Sequence, residues 1–376
     1  MKHYIYLISN AQFPANSLER IEVINNPSAR YSATGTSGII NIVTKSNIKK
    51  NTFLSFGLNG STRYMVSPWI SYMFADEKFS INLYSYGYYW HYEGKNPGYS
   101  IMRNENGDTT SYQNENRRYE GDGISYGLFA NGSYIFDSMN LISFWGGFYG
   151  MPFNKRHDFV QNKHEEYLSN PGIYDYTEET NASSSSFGAY AGVWYEHKFN
   201  NKGHKVSTNI SGSYNKYNQN DPYKRLYAYY PQMNKDKTYS KDDKSNYFGA
   251  EVNYTLPYNK KGEVAIGASG GLLSEFSYRR NDTLSFSSSE YVLDSMRFEN
   301  AFIKRSDIEG YVTVQQKFGQ FTVKGGLRFQ SRYFNYEVIN QPEHHGRNNF
   351  IGLFPSLHLS YASKSMHNYV KLYTKS

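Results

Sequence analysis

Runs of about ten residues in which every second side chain is apolar recur along this chain, and this period of two narrows its possible folds more than any other feature. In FTVKGGLRFQ, Phe321, Val323, Gly325, Leu327 and Phe329 fall on one face, and Thr322, Lys324, Gly326, Arg328 and Gln330 fall on the other. KVSTNISGSYNK sets Val206, Thr208, Ile210, Gly212 and Tyr214 against Lys205, Ser207, Asn209, Ser211, Ser213 and Asn215. Val264, Ile266, Ala268 and Leu272 share a side, and Phe79, Ile81 and Leu83 alternate with Ser80, Asn82 and Tyr84. Each run is a strand with two unlike faces.

The connections alternate as well. Short turns are expected at residues 75–78, 137–139, 200–204, 259–262, 319–320 and 362–366. Between them lie longer polar stretches, 91–122, 151–185, 218–245, 277–302 and 335–350, read as loops. Short turn followed by long loop is the plan of an antiparallel transmembrane β-barrel, with the turns in the periplasm and the loops outside. Past Lys50 the pattern predicts about thirteen strands, each long enough to cross a bilayer when tilted. Aromatic residues flank the short turns: Phe74, Phe79, Phe136, Phe199, Tyr258, Phe318 and Phe321. Rings at one height match an interfacial girdle. A soluble sandwich would bring apolar faces together in a shared core and would not need long connections at one end only.

Composition agrees with an all-β membrane chain. Only 39% of 376 residues are hydrophobic, yet 18% are aromatic, 39 of them Tyr, a side chain suited to boundaries between apolar and wet surroundings. The 31 Gly and 11 Pro fit strands and turns better than long helices. Cysteine is lacking, so there is neither a disulfide framework nor a thiolate metal site. The net charge of +7 is dispersed without a Lys/Arg block, which argues against nucleic acid as a partner. No apolar run reaches the roughly 18 residues of a membrane helix. The apolar core at residues 4–8 is shorter than the roughly 7 to 15 of a secretory signal, so the chain is expected to begin mid-domain.

Ahead of the first repeat, near Thr52, stands ERIEVINNPSARYSATGTSGIINIVTK, residues 19–45. It reads as a strand at 20–24, a turn at 25–29, a glycine-rich loop at 32–38 and a strand at 39–44. Pro27 fixes its own φ and pushes Asn26 to an extended shape, while Gly35 and Gly38 permit positive φ or close backbone approach. This stretch resembles the closing segment of the plug domain of TonB-dependent outer-membrane receptors, in the Asn-Pro-Ser-Ala-Arg-Tyr form (through Tyr31) common in Bacteroidetes-type outer-membrane β-barrel proteins. The resemblance covers these residues; the rest of the chain is similar by pattern only.

The resemblance implies a plug remnant at 1–48 and the N-terminal part of a transmembrane β-barrel at 49–376. It implies a receptor in the bacterial outer membrane, in contact with outer-membrane lipid. Its activity would be uptake of a small-molecule or glycan ligand (siderophore, haem, cobalamin or glycan), powered by the TonB complex, with a surface lipoprotein as a further possible partner. No cofactor is implied, and no bond is broken. The family's Arg-Gly before the turn proline is replaced by Asn25 and Asn26; Arg20 or Arg30, with Glu22 nearby, would anchor the plug to the barrel wall or complete local strand pairing. The family barrel has about 22 strands, so this chain is expected to be a piece of one. Alone, such a piece is expected neither to close nor to transport; a monomeric, heat-resistant barrel formed by the purified chain in detergent would contradict that.

Other clusters are weaker. His157, Asp158, His164, Glu165 and Glu166, and likewise Glu343, His344 and His345, have neither the spacing nor the Cys partner of a metal site and read as loop composition. The Tyr-rich runs 84–92 and 223–230 could stack on sugars or aromatic siderophores, but rings that simply fill a lumen or rim are the preferred reading. No nucleophile-elbow pattern is present, so catalysis is not expected. The rival function is a non-transporting barrel for assembly, adhesion or export, which would not need a plug.

Overall fold

The computed structural model describes residues 2–3, 18–24, 39–44, 50–62, 64–167, 172–285, 290–294, 298–339, 345–362 and 369–375. Three strands form a small antiparallel sheet: β1 (Lys2–His3), β2 (Leu18–Ile24) and β3 (Ile39–Thr44), in the order β1-β3-β2. Arg20 pairs with Val43 and Glu22 with Asn41. Pro27, Arg30, Tyr31, Gly35 and Gly38 lie outside the described residues.

All else belongs to one antiparallel sheet of 14 strands. They are β4 (Asn51–Ser61), β5 (Met65–Ala75), β6 (Phe79–Arg103), β7 (Thr109–Ile135), β8 (Asn140–Tyr167), β9 (Gly172–Lys198), β10 (Lys205–Tyr227), β11 (Lys235–Asn259), β12 (Gly262–Ser285), β13 (Glu290–Leu293), β14 (Glu299–Phe318), β15 (Phe321–Val338), β16 (Gly346–Ala362) and β17 (Tyr369–Lys375). Each pairs with its chain neighbours, except that β13 pairs only with β12, so the path runs through thirteen strands from β4 to β17.

The short turns form through side chains that cap their own backbone. Asp76 Oδ1 accepts the N–H groups of Lys78 and Phe79 at 2.9 and 2.7 Å, and Asp137 Oδ1 accepts those of Met139 and Asn140 at 2.7 and 2.9 Å. Asn200 and Asn259 accept from Lys202 and Lys261 in the same way. A short Asx side chain thus supplies the acceptor that reverses the chain, and the left-handed φ at Gly203 (97°) and Gly319 (61°) is one that glycine adopts freely.

Among the described residues, the long polar stretches expected to be loops are mostly strand. β6 to β9 run 25 to 28 residues each, far beyond the roughly 9–11 that cross a bilayer. Tyr92 pairs with Gly121, Gly98 with Glu115 and Arg225 with Glu178, so ladder pairing continues through sequence expected to be unstructured. The cause is physical: once neither face is apolar, hydrophobic alternation vanishes, but Tyr, Thr and Ser still pair well across strands.

Register sorts side chains onto two faces with unusual strictness. One row runs His197, Val206, Tyr254, Ile266, Val312, Leu327, Pro355 across seven strands. The adjacent row, on the other face, runs Glu196, Ser207, Asn253, Gly267, Tyr311, Arg328, Phe354. Ile266 is 51% exposed and Leu327 43%, whereas Asn253 is 8% and Arg328 5%. The apolar side faces outward and the polar side is buried.

Depth should set the cost of a charge on the apolar face. Val312→Lys, mid-row, is expected to destabilise folding into lipid vesicles by about 2–4 kcal/mol, and Phe318→Lys, at the strand end, by about 0–1 kcal/mol. Denaturant titration in vesicles measures both; equal costs would mean that the rings beside the turns do not mark a membrane interface.

Candidate functional site

The polar face divides into two kinds of wall. Across β11 to β15 it is charged, and its acids and bases pair with one another. Glu309 takes an ion pair from Arg328 and a hydrogen bond from Gln330 Nε2 at 2.7 Å. Asp307 pairs with both Arg305 and Arg332. Asn253 donates to Glu251 at 2.6 Å and accepts from the Tyr311 hydroxyl at 2.5 Å. These groups alternate along strands two residues apart, so acid and base meet on neighbouring rows.

Across β6 to β9 the same face is aromatic. Tyr84 and Tyr86 stack with Phe129 at 6.4 and 6.1 Å with interplanar angles of 20° and 18°, and Phe129 meets Tyr190 at 6.3 Å. Tyr88 stacks on Trp90 at 5.3 Å. Glycines lie beneath: a Cβ on Gly127 would meet Tyr86 at 2.5 Å, one on Gly147 would meet Phe129 at 2.5 Å, and one on Gly121 would meet Tyr92 at 2.6 Å. The rings can lie flat along the sheet because the cross-strand positions carry no side chain. The sequence carried this signal: aromatics at every second position from Tyr84 to Tyr92 and glycines at Gly121, Gly123 and Gly127, facing each other only once the register is known.

Far up the hairpins a third cluster forms. Arg225 lies 4.4 Å from the Tyr176 ring centroid, ion-pairs with Glu178 and donates to the Tyr227 hydroxyl at 3.0 Å. Tyr176 donates to Glu165 at 2.6 Å, and Tyr223 to Glu178 at 2.9 Å. Burial, then the Glu165 contact, pushes the Tyr176 hydroxyl well above its ordinary range. Burial, then the Glu178 charge, does the same for Tyr223. Burial opposes the Arg225 charge, but Tyr227, Glu178 and Tyr223 together hold it above the usual guanidinium value. Tyr176 and Tyr223 thus keep their protons and Arg225 its charge, and the cluster ties β9 to β10.

The turn-flanking rings occupy the apolar face. Phe74 and Phe79 meet at 6.2 Å, Phe136 meets Tyr134 at 4.9 Å, Phe199 meets His197 and His204 at 4.7 and 4.4 Å, and Phe318 pairs with Phe321 across their turn. Phe136, Phe199, Tyr258, Phe318 and Phe321 are 48% to 61% exposed. The imidazoles weighed as ligands are taken up pairwise: His157 by Glu179 at 3.2 Å and Glu120 at 3.6 Å, His164 by Asp175 at 2.7 Å. Asp158 pairs instead with Arg156 at 2.9 Å. Among the described residues no three such groups are placed to hold a metal ion; Glu343 and His344 lie outside them.

This inversion of faces defines a class: membrane β-barrel proteins turn apolar side chains toward lipid and polar ones toward the interior. Residues 197–375, just under half of the chain, match the model of the Outer membrane protein beta-barrel family; the fold class is that of an antiparallel membrane β-barrel, and the location is the bacterial outer membrane. No curated protein matches it. Among solved structures it is similar to a substituted ferric enterobactin receptor of Pseudomonas aeruginosa, at 11% identity over 94% of this chain and 79% of that one, with a TM-score of 0.17. A second substituted form of that receptor, in complex with enterobactin, is similar at 10% identity over 94% and 80%, with a TM-score of 0.15. Scores this low place no residue of this chain on a residue of those receptors.

The charged wall should be sensitive to removal of one partner. Glu309→Ala breaks the ion pair of Arg328, whose side chain is 5% exposed, and is expected to destabilise the chain by about 3–5 kcal/mol. Lys198→Ala, which removes an exposed cation 3.9 Å from Glu196, is expected to cost about 0–1 kcal/mol. Urea unfolding of the lipid-inserted variants measures the difference.

Proposed function

We propose that this chain is the wall, together with the tail of the gate, of an outer-membrane receptor for active uptake of a nutrient, powered by the TonB complex. The observation that carries the reading is the 19–45 segment, whose two β-branched runs pair as β2 and β3 immediately before the long sheet begins. A passive channel needs no such unit. In this reading residues 1–48 are plug, residues 49–376 are barrel wall, and Arg20, Glu22 and Arg30 help to seat the one in the other. Pro27, Tyr31, Gly35 and Gly38 shape the plug's closing turn and loop.

The aromatic residues beside the short turns, Phe74 to Phe321, form the periplasmic girdle. The hairpins of β6 to β12 stand outside the membrane, where ligand or a surface lipoprotein would meet them. The ligand, a siderophore, haem, cobalamin or glycan, is carried unchanged, so the protein is a transporter and not an enzyme.

Uptake of labelled ferric siderophore, haem, cobalamin and oligosaccharides by cells with and without the gene tests this. Gene-dependent uptake that collapses when a protonophore discharges the inner membrane is expected. Gene-dependent uptake that survives the protonophore would instead favour a passive or export barrel.

A further inference from the structure

The aromatic wall of β6 to β9 has a chemistry that the receptor reading leaves unused. On the polar face from Asn82 to Trp90, and across the paired positions of β7, β8 and β9, the described residues are aromatic, Gly, Ser, Asn or Met. None is charged. The next wall, β11 to β15, is dense in acids and bases, but those are matched to one another. The lumen therefore offers a neutral strip beside a self-neutralised one.

The strip has three further properties. Three of its rings lie over glycines, Tyr86 over Gly127, Trp90 over Gly123 and Phe129 over Gly127 and Gly147, and Tyr84, Tyr86, Trp90 and Phe129 are all half-buried. It runs along the strand direction, and Tyr84 to Trp90 spans roughly 20 Å. Its edges carry neutral hydrogen-bonding groups, as where the Tyr149 hydroxyl donates to Asn215 Oδ1 at 2.9 Å and Ser80 meets Ser133 at 2.8 Å.

We infer that this strip is a binding track for a neutral oligosaccharide. A pyranose presents a flat C–H face, which packs on a ring face, and equatorial hydroxyls, which find amides and hydroxyls at the edge. Successive rings two residues apart hold successive sugars, so an extended chain can step along the wall. An anionic ferric catecholate or haem carboxylate would need free cations, and among the described residues none lies on the strip. The inference rests on the receptor reading and narrows its ligand class.

Outer membranes containing the full chain are titrated with neutral hexasaccharides from starch, xylan and mannan, and in parallel with haem and ferric enterobactin. At least one hexasaccharide is expected to bind. Tyr86→Ala and Phe129→Ala are each expected to weaken it about tenfold, and Gly127→Ala, whose Cβ would meet the Tyr86 and Phe129 rings, comparably. Tyr86→Phe keeps the ring and should bind as the parent does. Tyr86→Leu keeps apolar bulk without a π face, and should bind weakly even if the alanine variants do not insert. Binding of haem or ferric enterobactin but no hexasaccharide overturns the inference, as does binding of nothing in the panel. Unchanged hexasaccharide affinity in the ring variants, with residues 18–44 becoming open to protease, also overturns it: the rings would then seat the plug. Protonophore-sensitive uptake of a non-glycan nutrient would sink this inference and leave the receptor standing.

Discussion

In hydrocarbon a backbone N–H or C=O without a partner costs several kcal/mol, so a chain that crosses a membrane with strands must give each strand a neighbour on both sides. The sequence-adjacent pairing along the path meets that demand for the strands between its ends β4 and β17 by the shortest connections available, hairpin after hairpin. Once the backbone is satisfied by neighbours, the side chains are free to follow the period of two. Val312 can then face lipid while Tyr311, next to it, donates to Asn253 inside. Folding of an ordinary soluble domain would reject this arrangement, because Ile266, Val312 and Leu327 lie exposed together and Arg328 lies buried.

The same period of two made the membrane-level part of each strand legible. FTVKGGLRFQ announces both of its faces, and its register against β14 and β16 follows once the short turn at 319–320 is recognised. Asp76, Asp137, Asn200 and Asn259 mark short turns because their side chains do local chemistry, which sequence records directly. What lies outside the membrane was illegible for the converse reason. From residue 91 to 122 both faces are wet, so the hydrophobic signal falls silent while the hydrogen-bonded ladder continues. The pairing of Tyr92 with Gly121 is a relation between residues on different strands, and no local pattern contains it.

Cross-strand relations also explain why the two walls differ. On β6 to β9, an aromatic on one strand meets a glycine on the next, which removes steric conflict and lays the ring down. On β14 and β15, an acid meets a base: Glu309 and Asp307 against Arg328 and Arg332. Both solutions fill the space above a sheet, but they leave different surfaces. Matched charges present little net field, whereas the rings present a neutral, largely apolar surface. Tyr was read from composition as a residue for wet boundaries, and its positions here divide between the two roles. Tyr254 and Tyr134 stand on the apolar face, while Tyr84 and Tyr86 pave the interior.

Length gives the final constraint. Strands of 25 to 28 residues extend well past an apolar band about 25 Å tall. A projecting hairpin without a core would fray unless something fixed neighbouring strands to each other. Arg225 does this for β9 and β10, binding Glu178 by charge, Tyr176 by its ring face and Tyr227 by its hydroxyl. Lys163 extends the same network to β8, with Glu165 at 3.4 Å and the Tyr176 ring at 5.4 Å. Because Tyr176 and Tyr223 resist ionisation and Arg225 resists deprotonation, these three groups keep their donor protons at ordinary pH. Ties of this kind between neighbouring strands let the hairpins hold their pairing beyond the apolar band.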